Sequence, residues 1–190
     1  DRRGRFGGPE CAPCVCFLSA TTSTAVRKTM RRTDKEISSR IEQDALLAKG
    51  TILHLALVDG GAPYIVPLDY GWDGTHIYMH CATKGKKLDC LDADNRVAAN
   101  VLPFHAMTDK SAADKACDLG TWFQSITVFG RAHRVTDPAE RTHGFQVILR
   151  QHGADHLPFE DSPAVAVLRI DVDHITAKGK TPPASDAQAG

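Results

Sequence analysis

Three apolar segments joined by two very short turn sequences constrain the fold of this 190-residue chain more than any other feature. The segments are "TILHLALV" (51–58), "PYIVPLDY" (63–70) and "THIYMHCA" (75–82), and only "DGGA" and "GWDG" separate them. Turns of this length join antiparallel strands, whereas parallel strands need a crossover of about a dozen residues or more. The sequence therefore predicts a three-stranded antiparallel meander and disfavours a parallel α/β fold. Because side chains alternate between the faces of a strand, we expect His80 and Cys81 on opposite faces of the third strand.

Two more strands are predicted in the middle of the chain. "RVAANVLPF" (96–104) has the composition of a strand that Pro103 ends, and residues 105–121 are expected to form a loop. A longer strand follows at 122–135. Its Gly130 indicates a bulge or bend of the kind that curves a barrel.

Three helices are also predicted. Thr33 and Glu36 form a capping box, and the apolar pattern that follows predicts about four helical turns ending at Gly50. A short helix is expected at 87–95, and a longer one at 137–153, with an Asp-Pro start and a glycine stop. The apolar face of the first helix consists of Ile37, Ile41, Ala45 and Ala48.

With a last strand at 164–178, these elements predict a mainly β (α+β) fold: a six-stranded antiparallel barrel, closed or nearly closed, with flanking helices. We expect one domain over 30–180. Residues 1–29, rich in Gly, Pro, Ser and Thr, are expected to be a disordered tail, and 181–190 a flexible one. A secretory signal is the competing interpretation of the first tail, but Glu10 interrupts the approach to its apolar run.

The charged residues of the chain balance, with 23 Lys plus Arg and 23 Asp plus Glu. No net field therefore draws the chain to nucleic acid or to a membrane surface, and any anion site must be local. No apolar stretch approaches the roughly 20 residues that cross a bilayer. Six cysteines are present, but three lie within the first sixteen residues and the others have ordinary core or loop contexts. This usage predicts a reduced, cytoplasmic protein without a structural metal site.

A local cationic cluster does occur, in "HCATKGKKLDCL" (80–91). Lys84, Lys86 and Lys87 precede the short helix, whose first N–H groups lack partners within the helix and whose dipole is positive at that end. Gly85 permits close approach of a ligand to the backbone. This arrangement suits a phosphate. The alternative is a solvated basic turn, which is what most lysine clusters are.

Three segments carry a resemblance to a known family: "PYIVPLDYGWDGTHIYMHCATKGKKLDCLDADNRVAANV", "FQSITVFGRAHRVTDPAE" and "ITAKGK". They resemble the flavin-binding split-barrel superfamily of pyridoxamine phosphate oxidase and, within it, the nitroimidazole-resistance (Nim) proteins. The likeness covers about residues 30–180. It implies a six-stranded split barrel, a homodimer, and flavin mononucleotide (FMN) bound in a groove between the subunits.

The resemblance also assigns roles to individual residues. Lys86 and Lys87 match the basic pair that contacts the FMN phosphate in the oxidases. The tail after Lys180 has no match to the substrate-binding Trp and Arg residues of the oxidases, which argues against pyridoxamine phosphate as the substrate. The other expected flavin contacts are Val66, Pro67, His80, Cys81 and, where the oxidases have a glutamine, Ser125.

The function that follows from the resemblance is an FMN-dependent oxidoreductase that reduces a small aromatic or nitro-heterocyclic compound. His80 is the expected proton donor or substrate contact, with a purely structural histidine as the alternative. His76 shares its face of the strand but lies roughly 13 Å away, which is too far for the two to bind one metal. Two other functions stay open: a flavin carrier or sensor without a substrate, and a relative that binds haem or a deazaflavin in the same cleft.

Overall fold

The computed structural model describes residues 31–108, 115–158 and 162–182 of the chain. Its six strands form a closed antiparallel barrel in the order β1-β2-β3-β6-β5-β4, which confirms the predicted split-barrel fold class with flanking helices. The strands are β1 (Ile52–Asp59), β2 (Ala62–Trp72), β3 (His76–Ala82), β4 (Arg96–Met107), β5 (Thr121–Val135) and β6 (Val165–Lys180). The helices longer than one turn are α1 (Arg40–Lys49), α2 (Lys86–Ala93) and α3 (Pro138–Gln151).

The first three strands form the predicted antiparallel meander. β1 pairs with β2 along its whole length, and β2 pairs with β3 through residues 70–72. Gly60 and Gly61 make the tight turn between β1 and β2 with φ angles of 56° and 94°, a conformation that glycine adopts without strain. This hairpin fixes the end of β1 next to the start of β2, where the candidate site begins.

Alternate residues of the strands fill the interior of the barrel. Burying an aliphatic side chain of this kind contributes roughly 1.5–3 kcal/mol. The interior is a packed core, so ligand sites are to be sought on the outer surface and at the ends of the barrel. Core side chains at most 1% exposed include Leu53, Leu55, Met79, Ile126, Val128, Leu168 and Ile170.

β4 is longer than predicted. Pro103 is expected to end this strand, but β4 continues past it, and residues 105–107 are strand rather than loop. The pairing of β4 with β5 shifts in register between Val101 and Phe104. Pro103 therefore lies in an irregularity, where its missing N–H costs no ladder hydrogen bond.

The bulge predicted at Gly130 is confirmed. The pairing of β5 with β6 shifts in register between Phe129 and Gly130. A Cβ atom at position 130 would overlap the backbone carbonyl of Asp171 on the neighbouring strand. Only glycine fits this bend, because the two backbones approach too closely for a side chain.

The first helix begins later than predicted. Ser39 is the N-cap of α1 and accepts a hydrogen bond from the N–H of Glu42 at 3.5 Å, whereas the predicted start lies in a separate 3-10 turn, Thr33–Lys35. Between the two, the N–H of Ile37 donates to the carbonyl of Ala177 on β6 at 2.9 Å. This segment therefore pairs with β6, and the N–H of Ile37 is not available for a hydrogen bond within a helix.

The buried face of α1 also differs from the prediction. Ile41, expected in the core, is 83% exposed, and Ala45 and Ala48 are exposed as well. Because Ile37 lies outside the helix, an apolar stripe counted from it does not describe α1. The residues that α1 buries are Gln43, Leu46 and Leu47.

α3 follows its prediction. Asp137 caps it by accepting the N–H of Glu140 at 2.8 Å, and the helix ends shortly before Gly153, whose φ is 68°. Gly144 lies where the helix meets the barrel: a Cβ there would stand 2.7 Å from the ring of Tyr78. Its glycine disfavours the helix locally but permits close packing on β3.

The predicted N-terminal tail (1–29) lies outside the described residues, as does most of 181–190. Within the part of the chain that the structure describes, no helix is both long enough and apolar enough to span a membrane. Cys81, Cys90 and Cys117 are free thiols.

Candidate functional site

The predicted cationic turn connects the end of β3 to the start of α2. Gly85 is the N-cap of α2 and has a φ of 128°, which strains any residue other than glycine. Its carbonyl accepts the N–H groups of Leu88 and Asp89 at 2.8 and 3.2 Å, while helix geometry directs the N–H groups of Lys86 and Lys87 out of the helix start. No heavy atom from a distant described part of the chain lies within 4 Å of where a Gly85 Cβ would stand. The turn therefore leaves open space beside Gly85 at the start of α2.

Lys86 is engaged by the β1–β2 hairpin. Its Nζ lies 2.6 Å from Oδ2 of Asp59 and 4.8 Å from the ring centroid of Tyr64. The hydrogen bond and the charge of Asp59 raise the pKa of Lys86 above its ordinary value. Both members of the pair are exposed, with 58% and 43% of their side chains accessible. The sequence gives no local signal for this contact, because Asp59 and Lys86 are far apart in the chain.

Lys84 and Lys87 differ from Lys86 in their partners. Lys84 is exposed and Lys87 is half-buried beside the helix start. Among residues 31–108, 115–158 and 162–182, neither ammonium has a carboxylate within ion-pair distance. These two cations therefore keep their charge available for an anion.

An open cavity of about 320 Å³ adjoins the ion pair of Asp59 and Lys86. Burial and the charge of Asp59 raise the pKa of the Cys90 thiol at its wall, which makes this cysteine a poor nucleophile. The cavity is lined by Val58, Asp59, Gly60, Lys86, Asp89, Cys90 and Ala93.

His80 and Cys81 lie on opposite faces of β3, as the alternation predicts. The imidazole of His80 is exposed on the outside of the barrel, with its ring centroid 5.7 Å from that of Phe145 on α3. Cys81 is half-buried and packs against the core. Of this pair, His80 is the residue with an exposed polar side chain beside an aromatic ring.

Val66 and Pro67 are neighbours on β2 with opposite orientations. Val66 packs against the barrel core, and Pro67 is exposed on the outer face, opposite His54 of β1. A ligand on the outer surface would therefore meet Pro67 and the backbone rather than the Val66 side chain.

Ser125 belongs to a polar cluster on β4 and β5. Its Oγ accepts a hydrogen bond from Nδ2 of Asn100 at 3.1 Å, and the same amide donates to Oγ1 of Thr127 at 2.9 Å. Asn100 was missed by the sequence-based reasoning, since its proximity to Ser125 depends on the pairing of two strands. The amide fixes the orientation of the Ser125 hydroxyl.

The closed strand order separates the predicted flavin contacts into two groups. β2, which carries Val66 and Pro67, and β5, which carries Ser125, have two strands between them in either direction around the ring. α2 contacts β1, which is the neighbour of β2 in the barrel. One barrel thus brings the lysine turn near the β1–β2 hairpin and holds Ser125 on another wall.

A second charged region lies between α3 and the barrel, and we call its residues Glu140, Arg169, Asp171 and His133 the α3 cluster. Arg169 pairs with Glu140 at 2.6 Å and with Asp171 at 2.7 Å, and His133 lies 3.2 Å from Asp171. The hydrogen bond to Asp171 is the main reason that the pKa of Arg169 is raised. The guanidinium of Arg169 bridges Glu140 on α3 and Asp171 on β6, so the cluster ties α3 to β6.

Tyr78 is buried beneath the α3 cluster. Burial, together with the charges of Asp73 and Glu140, raises its pKa to about 12. His76 lies near both Asp73 and Asp171, at 3.6 and 3.7 Å. Nevertheless, in the described ranges no group of three or more His, Cys, Asp or Glu side chains is arranged to hold a metal ion.

Comparison with known proteins places the chain in a family. The family model described as pyridoxamine 5'-phosphate oxidase matches residues 39–179. The chain belongs to the pyridoxamine 5'-phosphate oxidase family. The match runs from the N-cap of α1 into the end of β6 and so includes the whole lysine turn. A search of curated protein sequences finds no match to this family member.

Solved structures share the fold of this oxidase-family chain. A candidate 5-nitroimidazole antibiotic resistance protein from Bacteroides thetaiotaomicron is 23% identical, with a TM-score of 0.65 over 75% of this chain and 85% of that one. An FAD and heme binding protein from Mycobacterium smegmatis is 22% identical, with a TM-score of 0.67 over 82% and 80% of the two chains. An FAD-binding protein from Mesorhizobium loti is 24% identical, with a TM-score of 0.57 over 77% and 98%. At these identities the likeness shows a common fold.

Proposed function

We propose that the protein is an FMN-binding oxidoreductase whose lysine turn holds the phosphate of the cofactor. The observation that carries this proposal is the glycine-capped start of α2, where Lys84 and Lys87 have no carboxylate partner among the described residues. Membership of the pyridoxamine 5'-phosphate oxidase family and the two FAD-binding structural neighbours support a flavin as the ligand. FMN is the form proposed, because its terminal phosphate suits a compact cationic turn.

The residues of the turn fit a phosphate group. Backbone N–H groups at a helix start, the positive end of the helix dipole and nearby ammonium groups together favour an anion. The open space around Gly85 lets phosphate oxygens approach the backbone. In this arrangement Lys87 and the N–H groups of the first turn would bind the phosphate directly.

The homodimer is part of the same proposal. A single flavin ring can meet both Pro67 on β2 and Ser125 on β5 only if the two residues come from different copies, since they lie on different walls of one barrel. Large apolar side chains that a second copy would cover are exposed on β1, β2 and β4: Ile52, Ile65, Leu102 and Met107, between 46% and 62% accessible. A groove between two copies would bring the two groups of contacts together.

The flavin would supply the redox chemistry, while the chain would bind and orient the reactants and handle protons. His80 would hold or donate a proton at its exposed imidazole, since a positioned histidine can act as a general acid or base. Phe145 beside it offers an apolar surface against which a flat aromatic compound could pack. The proposed substrate class is a small aromatic or nitro-heterocyclic compound, which the name of the Bacteroides neighbour supports.

Reconstitution tests the proposal. Purified chain mixed with FMN is expected to retain it through gel filtration, with the absorbance band of oxidised flavin near about 450 nm and the mass of a dimer. Anaerobic turnover of a nitroimidazole by the reduced complex would then separate an enzyme from a carrier. A colourless protein that takes up no flavin would refute the proposal.

A further inference from the structure

Asp59 holds the ammonium group of Lys86, one of the two lysines predicted to contact the phosphate. Oδ2 of Asp59 lies 2.6 Å from Nζ of Lys86, which is the length of a charge-assisted hydrogen bond. Tyr64 lies beneath the same ammonium, 4.8 Å from Nζ to its ring centroid. Lys86 is therefore a cation with two partners on the β1–β2 hairpin rather than a free anion ligand.

The surroundings of this ion pair are acidic on the α2 side as well. Asp89, in the first turn of α2, lines the cavity beside the pair together with Asp59. Among the described residues, no other lysine or arginine lines this cavity. A phosphate drawn to Lys86 would meet two carboxylates, whereas one bound at the helix start beside Lys87 would not share its cation with either of them.

Competition for Lys86 depends on the charge of the incoming group. A phosphate monoester carries about −1.5 to −2 charges near neutral pH, so its repulsion by a carboxylate is up to twice that of a singly charged diester phosphate. The interaction is felt within about 8 Å at physiological salt. Asp59 lies well inside that range of any anion that contacts Lys86, because both would touch the same ammonium.

We propose that Asp59 is a specificity-determining residue that competes with the flavin phosphate for Lys86 and thereby restrains the preference of the site for a monoester over a diester phosphate. The inference rests on the proposed function, since it assumes that a flavin phosphate binds at the α2 start. The two lysines then contribute unequally to phosphate binding. Lys87 and the backbone provide most of the affinity, and Lys86 contributes only when its ion pair with Asp59 is broken.

The test compares three flavins with and without the carboxylate. Dissociation constants of FMN, FAD and riboflavin are measured by flavin fluorescence for the wild type and for Asp59→Asn, which keeps the shape of the side chain. The expected result is FMN binding tightened by about three- to fivefold, FAD binding tightened less, because its pyrophosphate spreads two charges over two phosphorus atoms, and riboflavin binding unchanged. Asp155→Asn, which removes an exposed carboxylate in the segment after α3, is expected to change none of the three.

A double-mutant cycle separates competition from a general charge effect. In a Lys86→Ala background the Asp59→Asn change should improve FMN binding much less than in the wild type, because the contested ammonium is gone and only direct repulsion of the phosphate by the carboxylate remains. The same gain in both backgrounds would overturn the proposal, as would unchanged FMN binding in Asp59→Asn itself.

One further measurement separates failure of this inference from failure of the proposed function. Titration of Lys86 by NMR should show a lower pKa in Asp59→Asn than in the wild type, because the carboxylate that raises it is removed. An unchanged value means that the ion pair does not form in solution and overturns the inference by itself, with FMN binding left intact. Failure of the wild type to bind any flavin would instead refute the proposed function, and the inference with it.

Discussion

The α3 cluster and the lysine turn both contain cations near carboxylates, but the two regions differ in how those charges are paired. In the α3 cluster, Arg169 lies between Glu140 and Asp171, and the three side chains are only 29%, 30% and 39% exposed. At the lysine turn, the one ion pair is more exposed, and Lys84 and Lys87 lack a carboxylate within the described residues. Half-buried ion pairs hold two elements together, whereas cations without a carboxylate partner at a helix start are available to a ligand.

This difference also concerns stability. Removing one member of a partly buried pair leaves its partner without compensation, while exposed pairs contribute little. We therefore expect substitutions in the α3 cluster to affect folding, and substitutions in the lysine turn to affect binding alone. The predictions that follow separate these two effects.

The largest expected effect is that of Arg169→Ala on folding. The change leaves Glu140 and Asp171 half-buried without their cation, and should lower the free energy of unfolding by about 2 kcal/mol in urea titrations. Arg131→Ala is the control, since Arg131 is exposed and, within the described residues, its side chain makes one hydrogen bond, to Asn95. If both variants unfold at the same urea concentration, the α3 cluster is not the structural tie described.

The double variant Lys86→Ala/Lys87→Ala should weaken FMN binding by about tenfold or more, since it removes two charged donors from the phosphate site. Its urea midpoint should match that of the wild type, because neither side chain contributes to the core. Of the single variants, Lys87→Ala should weaken binding more than Lys86→Ala. Loss of stability without loss of flavin affinity would reverse the contrast with the α3 cluster.

His80→Ala should lower the turnover number by roughly fivefold and leave FMN affinity within about twofold. The effect is modest because the imidazole is exposed, so water can replace it as a proton source. His80→Gln, which keeps a hydrogen-bonding group but cannot titrate, should behave like His80→Ala if the proton matters. A fall in FMN affinity with unchanged turnover would make His80 a packing or cofactor contact.

The smallest effect is expected from Asp73 and appears as pH dependence. Burial opposes ionisation of Asp73, but hydrogen bonds from the backbone N–H groups of His76 and Thr75 hold the pKa of this carboxyl below its usual range. A carboxyl whose pKa is lower in the folded state stabilises the protein above the unfolded value of about 3.9, and this stability is lost as the pH falls through the folded value. Asp73→Asn should therefore cost up to about 1 kcal/mol at pH 7 and less at pH 3, measured by urea unfolding at both pH values.

The sequence was sufficient for the barrel but not for the start of α1. The meander, the bulge in β5 and α3 follow from signals within a few residues of each other: short turns, a glycine inside a strand and an Asp-Pro start. The capping box at Thr33 is such a local signal too, yet the helix forms later because Ile37 donates its N–H to Ala177, more than a hundred residues away. Long-range sheet pairing overrode a local preference.

The candidate site divides in the same way. The lysine turn could be predicted because Lys84, Lys86 and Lys87 adjoin a helix start within four residues. Asp59 could not be, because only the folding of the β1–β2 hairpin against α2 brings it to Lys86. Asn100, which orients Ser125, depends likewise on the register of β4 and β5.

The most direct test of a phosphate site at the start of α2 is a comparison of FMN and riboflavin binding to the wild-type protein by equilibrium titration. The two ligands share the isoalloxazine ring and differ only in the phosphate. We predict one flavin per protomer and FMN binding at least about tenfold tighter than riboflavin, with the difference shrinking as salt is raised. Equal affinity for the two flavins at low salt would contradict a phosphate site at the lysine turn.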